Sequence, residues 1–309
     1  MNNKPLVIFL VGATASGKSE IALKLARKIN AEIISADSMQ VYKGMNILSA
    51  QPSPGQRKQV KHYLIDVLAL GQEYSAAKFR EQALVCIEKI IHKKKIPLIV
   101  GGTGLYIKAL TQGLFAEIGK DIALREKLYA QAKEKGNEYL YKKLKKIDPG
   151  SAKKIHLNDL RRIVRAIEAY RVNKIPLSKL KTQIKGLEEQ YQVLIFGINQ
   201  PRQELYRRIE QRIDQMIKRG LVKEVKKIKN KQLSQTAAQA LGLKQISAYL
   251  NREIDLKTAV DRLKRDTRRF AKRQLTWFRQ DKSIIWLDSG PGISSVQISQ
   301  KIISFLPKS

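Results

Sequence analysis

The chain has 309 residues, 43% of them apolar, and carries 60 Lys and Arg against 27 Asp and Glu, a formal net charge of +33. That length suits one large domain or two smaller ones. The charge favours a polyanionic partner, nucleic acid above all, although lysines scattered over a solvated surface produce the same total. A single cysteine, Cys86, excludes a disulfide framework and a multi-cysteine zinc site. No apolar run reaches the ~20 residues that span a bilayer, so a cytosolic chain without membrane contact is expected.

The apolar run 5–12 reads as a strand buried on both faces. It has the length of a signal-peptide core, but it enters a glycine loop with no cleavage site between. Residues 18–29 keep helical spacing, 31–38 form a second strand ending in polar residues, and 51–61 read as a loop from their Pro, Gly and charge. "HYLIDV" reads as a third strand and 75–95 as a helix with Ser75 at its N-cap; 96–110 read as a strand, a Gly-Gly turn and a helix. From 121 to 182 the pattern is helical and rich in Lys and Arg. Residues 191–200 return as a strand, helical stretches follow near 202–218, 220–229, 236–249 and 256–279, and 283–289 form a last strand before a short helical tail. Alternating strands and helices predict a doubly wound α/β sheet whose ligands sit beyond the carboxyl ends of the strands.

"GATASGKS" has the Walker A spacing between a strand and a helix. Gly12 and Gly17 let the backbone wrap an anion, the helix N-terminus adds its dipole, Lys18 neutralises phosphate oxygens and the Ser19 hydroxyl suits Mg²⁺. The loop specifies a diphosphate with its metal rather than ATP as such. Asp37, at the end of the second strand, has three readings: a carboxylate behind Mg²⁺, a general base, or a solvated loop Asp capping the next helix. Asp66 is the nearest candidate for a Walker B carboxylate and reads better as structural, which argues against an ordinary ATPase. Gly101 and Gly102 mark a close backbone approach, with Thr103 a helix cap. Arg208 and Arg212, four apart on one helix, suit a diphosphate leaving group, although most arginines there read as solvated. "DTRRFAKRQLTWFR" mixes cations with Phe270, Trp277 and Phe278, a pattern that serves RNA or a core equally.

Taken together, "GATASGKS", "SADSMQVYKGM", "HYLID", "YSAAKFR", "IPLIVGGTGLYIKAL", "IHLNDLRRIVRAIE", "LYRRIEQRIDQM", "GLVKEV", "QALGLKQI" and "TRRFAKRQLTWFR" resemble the bacterial tRNA dimethylallyltransferases (tRNA isopentenyltransferases), in order and over roughly residues 6–288. The resemblance implies a P-loop NTPase-like doubly wound parallel sheet with an all-helical insertion domain. The core would be 1–113 and 191–309, and 114–190 would be the insertion that binds the tRNA anticodon arm. Gly12, Ala13, Thr14, Ala15, Ser16, Gly17, Lys18 and Ser19 would hold dimethylallyl diphosphate, with Mg²⁺ at Ser19. The five-carbon group would pass to N6 of the adenosine 3′ of the anticodon. Lys18, Ser19 and Arg212 would stabilise the departing diphosphate and Asp37 would take the amine proton. The resemblance places tRNA contacts at Asp37, Ser38, Met39 and Gln40, at Thr103 and Arg125, at Arg161, Arg162, Ile163, Val164 and Arg165, and at Gln239, Ala240, Leu241, Gly242, Leu243 and Lys244. A monomer is expected.

This sequence departs from the family pattern at Gln51, where Lys is usual, and at Leu243, where an aromatic is common. One Cys and three His leave no basis for the zinc finger of eukaryotic relatives. The rival readings are a small-metabolite kinase, disfavoured by the missing Walker B; an isopentenyltransferase acting on free adenine nucleotides, disfavoured by the basic insertion; and a non-catalytic RNA binder, disfavoured by intact Lys18, Ser19, Asp37 and Arg212.

Overall fold

β1 (Leu6–Gly12) is apolar on both faces, and both are covered. Val7, Phe9 and Val11 point into one core, Ile8 and Leu10 into the other. The computed structural model describes residues 4–113, 121–180 and 186–307. After β1 come α1 (Lys18–Lys28), β2 (Ala31–Ser35), α2 (Pro54–Gln59), β3 (His62–Tyr63), α3 (Ala76–His92), β4 (Ile96–Gly101) and α4 (Gly104–Thr111). Then follow α5 (Ile122–Ile147), α6 (Pro149–Ala152), α7 (Leu160–Asn173) and α8 (Leu177–Leu180). The chain returns with β5 (Gln192–Asn199), α9 (Arg202–Lys218), α10 (Leu221–Ile228), α11 (Leu243–Leu250), α12 (Leu256–Phe278), β6 (Ile284–Asp288) and α13 (Ser295–Ser304). Among the described residues no helix is long and apolar enough to cross a membrane.

The six strands make one all-parallel sheet in the order β3-β2-β4-β1-β5-β6. The fold is α/β and P-loop-like. Helices α1 and α13 cover one face; α3, α4, α9 and α12 are among those covering the other. The chain winds out to β3 on one side of β1 and returns to β5 and β6 on the other. β1 is therefore the topological switch point, beyond whose carboxyl end a crevice opens.

Two compact units result, one formed by 1–111 with 187–309 and the other by 112–186. In the second, Leu128, Leu140, Leu144, Ile163, Val164 and Ile167 share a core, and α5 kinks at Gly136, whose φ is 78°. The buried Asp148 carboxylate accepts the amides and hydroxyls of both Ser151 and Ser178, which ties the starts of α6 and α8 together. The helical expectation over 121–182 holds to residue 180; positions 181 and 182 lie outside the described residues.

Three local expectations are corrected. The loop expected over 51–61 contains α2, because Ser53 and Gln56 form a capping box with Pro54 in the first turn. "HYLIDV" pairs only through His62 and Tyr63, because Leu64 and Asp66 take left-handed φ values of 59° and leave the ladder. The helix expected over 236–249 is a 3₁₀ turn at Ala237–Gln239 and then α11, separated by Gly242 at φ 98°.

Candidate active site

The loop from Gly12 to Ser19 joins β1 to α1 at the switch point. Gly17, with φ 86°, starts the helix in a left-handed turn that a side chain would strain, and Ala15 shares the left-handed region. At the start of α1 the Glu20 N–H donates to the Gly17 carbonyl, whereas the Lys18 and Ser19 amides precede any intrahelical acceptor, so they and the helix dipole favour an anion there. Lys18 curls back and donates from Nζ to the Ala13 carbonyl at 2.8 Å. Burial pushes its pKa down to about 8; the Asp37 charge opposes that fall and the Arg212 charge adds to it. Burial also lowers the pKa of Arg212, again opposed by Asp37. From α9, Arg212 Nη1 donates to Thr14 Oγ1 at 3.0 Å. Two cations and one carboxylate thus look into one pocket lined by Thr14, Lys18, Ser19, Asp37 and Arg212, with about 740 Å³ of empty space including its open mouth.

Asp37 lies two residues past β2. Its Oδ1 accepts the amides of Met39 and Gln40, at 2.9 and 3.4 Å, which caps a turn over 38–41 where the bland reading expected a helix. Its Oδ2 accepts no protein hydrogen bond among the described residues, and the side chain lines the pocket. The carboxylate is therefore both held and available. Ser38 N–H donates to Thr103 Oγ1 and Thr103 N–H to the Ala36 carbonyl, lacing the loops after β2 and β4 together.

The expected RNA-facing residues separate into distinct environments. Gln40 is turned inward: its amide nitrogen donates to the Ser49 and Ala50 carbonyls, and its oxygen accepts from Ser35 Oγ. Ile163 and Val164 are core of the second unit, and Ala240 and Leu243 are core of the first, so their side chains present no surface. Leu241 is half-buried and Gly242 buried, whereas Gln239 and Lys244 are exposed. Arg161 and Arg162 are exposed on α7, the latter 3.3 Å from Asp159. Arg125 grips Glu168 with two hydrogen bonds at 2.8 and 2.9 Å, and Arg165 adds one at 2.7 Å. Burial would raise the Glu168 pKa, but the hydrogen bonds from Arg125, Arg165 and the Asp121 amide outweigh it and hold the carboxyl below its ordinary value. Arg208 pairs with Glu204 beside Gly17 and does not line the pocket. Asp66 faces Arg57 at 3.9 Å and also stays out of it. Gln51 is buried and donates to the Gln40 and Tyr42 carbonyls, so the residue standing for the usual Lys bridges the backbone.

Sequence reasoning passed over Gln274 on α12, which lines the pocket and bonds the phosphate loop. A signal existed: Gln274 lies four residues after Phe270 and four before Phe278, a lone amide in an otherwise apolar helical stripe.

A family model described as IPP transferase matches residues 40–281. The chain is 48% identical over 294 residues to the tRNA dimethylallyltransferase of Halothermothrix orenii, covering 94% of this chain and 89% of that one. It is 49% identical over 300 residues to that of Carboxydothermus hydrogenoformans, covering 96% of each. Among solved structures, the full-length tRNA isopentenylpyrophosphate transferase of Bacillus halodurans superposes with TM-score 0.71 at 36% identity, covering 98% of this chain and 96% of that one. A eukaryotic dimethylallyltransferase acting on tRNA superposes with TM-score 0.81 at 28% identity over 97% of this chain and 78% of its own. With its phosphate loop on a P-loop-like sheet and these relatives matched over nearly its whole length, the chain belongs to the IPP transferase family.

Proposed function

We propose that this protein transfers a dimethylallyl group from dimethylallyl diphosphate to N6 of the adenosine immediately 3′ of the anticodon in tRNA, releasing diphosphate. The observation that carries the reading is the convergence of Lys18, Arg212 and the unpartnered Asp37 Oδ2 on one pocket at the sheet's switch point. The family match and the names of the relatives support the substrates.

In the reaction the C1–O bond of the allylic diphosphate breaks and a C1–N6 bond forms. Negative charge grows on the departing oxygens, which Lys18, Arg212 and the amides at the start of α1 would meet from the walls of the pocket. The attacking amine becomes acidic as its lone pair is used, and Asp37 Oδ2 receives the proton. The turn that occupies Oδ1 keeps the carboxylate aimed. Among the described residues no cluster of three His, Cys, Asp or Glu offers a metal cage. The Ser19 hydroxyl, exposed to the pocket, is a hard oxygen donor of the kind that, together with substrate phosphates, would hold Mg²⁺. When bound there, Mg²⁺ supplies further charge neutralisation on the diphosphate. The tRNA would approach over exposed cations such as Arg161, Arg162 and Lys244, the exchange taking place in the cytoplasm with the protein as a monomer.

The test is a transfer assay with Mg²⁺, labelled dimethylallyl diphosphate, and either unmodified tRNA or free AMP. Label is expected in tRNA alone. Asp37→Ala is expected to lower turnover by ~10²–10⁴-fold while leaving tRNA affinity near its starting value. Label in AMP alone would overturn the tRNA reading, and unchanged turnover would remove Asp37 as the base.

A further inference from the structure

Gln274 is 8% exposed, and both ends of its amide are engaged by backbone. Its Oε1 accepts the Thr14 N–H at 2.8 Å, and its Nε2 donates to the Gly102 carbonyl at 2.8 Å. A donor on one loop and an acceptor on another fix the amide in a single orientation, because flipping it would set like against like. Thr14 in turn accepts from Arg212 through its hydroxyl. A continuous line of hydrogen bonds therefore runs from the glycine turn after β4, through α12 and the phosphate loop, to the cation on α9. Gly102 makes this approach possible, since a Cβ there would overlap Nε2 of Gln274. One turn along α12, Trp277 presses on Gly104 in the same way.

The geometry points to Gln274 as a positioning residue, one that holds the phosphate loop and, through Thr14, Arg212 in register for the diphosphate. The inference deepens the proposed function and rests on it for the identity of the substrate. A neutral amide is required. A carboxylate would still accept from Thr14 but would face the Gly102 carbonyl with no proton to donate, beside the site for an anion. Protonation of that carboxyl would restore the donor.

Gln274→Leu and Gln274→Glu are compared with the unaltered protein in the transfer assay, varying dimethylallyl diphosphate and tRNA separately. Gln274→Leu is expected to lower kcat/KM for dimethylallyl diphosphate by ~10–10²-fold, the usual cost of misplacing a catalytic group, with tRNA affinity changed less than about twofold. The activity of Gln274→Glu, as a ratio to the unaltered protein, is expected to rise as pH falls from about 8 to about 5.5 and the buried carboxyl gains its proton. A role in packing alone would leave that ratio flat, and a flat ratio overturns the inference. If Gln274→Leu does not fold, the pH profile of Gln274→Glu decides alone. Calorimetry with inorganic diphosphate and Mg²⁺ separates this inference from the functional reading. Variants that bind diphosphate as tightly as the unaltered protein would overturn the Gln274 role whatever the acceptor. Lost diphosphate binding, in a protein that transfers nothing to tRNA, would keep the Gln274 role and discard the tRNA reading.

Discussion

Lys18 carries a charge in a place that disfavours it. Burial lowers its pKa to about 8 from an ordinary 10.5, so the ammonium is still the main form at neutral pH and is poised to lose its proton just above it. As pH rises through about 8, kcat/KM for dimethylallyl diphosphate should fall, because the free protein loses one of the two cations proposed to meet the leaving group. Stability should move the other way. Between about 8 and 10.5 the unfolded chain binds more protons at this position than the folded one, so the destabilisation present below pH 8 is relieved as pH climbs through that window. Lys18→Met should therefore melt higher than the unaltered protein at pH 7, with the gap closing toward pH 10.5, while transfer falls by ~10² or more. Thermal unfolding at the two pH values is the check, and equal melting at pH 7 would show that the charge is stored without cost. Lys18 and Asp37 were legible in the sequence because a local motif and a strand end mark them. The spacing of Gln274 marked it as a lone amide in an apolar stripe but not its partners, and the inward turn of Gln40 left no mark at all, because the groups they bond lie on other segments of the chain.

At the scale of elements, the tightest join is between the ends of β2 and β4. A Cβ at position 101 would overlap the Ala36 carbonyl, and neither moves away easily, because Gly101 is paired with Val11 in the sheet and Ala36 is tied to β4 by its N–H bond to the Val100 carbonyl. Gly101→Ala should cost about 2–4 kcal/mol in chemical denaturation. Gly44→Ala, where a Cβ meets open space but φ is 79°, should cost about 1 kcal/mol through strain alone. Equal losses would mean that backbone conformation, and not the approach of the strands, sets the demand for glycine at 101. The strands β1, β2, β4, β5 and β6 were readable from apolar runs between helices of period 3.6. The short β3 was overread because "HYLIDV" has strand composition while its backbone turns left-handed, and α2 was missed because a capping box outweighed the Pro and Gly around it. The order of the strands was not readable, since pairing in a parallel sheet joins segments far apart in the chain.

Across the whole molecule, the net charge of +33 does not make every arginine a contact. Arg162→Glu should weaken tRNA binding and reduce the slope of log affinity against log salt by about one, the mark of a lost phosphate contact. Arg125→Ala should chiefly lower stability, by about 1–3 kcal/mol, because the buried Glu168 loses a two-pronged partner. Titrations at several salt concentrations, together with melting curves, distinguish the two, and an unaltered slope for Arg162→Glu would place it on a solvated face. The discontinuity of the first unit has a consequence for synthesis on the ribosome. β1 emerges early, yet its neighbour β5 does not begin until Gln192, after the whole second unit. At ~5–20 residues per second, one edge of β1 waits roughly ten seconds or more for its partner, and an apolar strand edge left open that long invites pairing with other chains. Under the proposed function, bound diphosphate does not shorten the wait either: the proposed grip draws on Arg212 and then Gln274, so it stays incomplete until translation has passed residue 274.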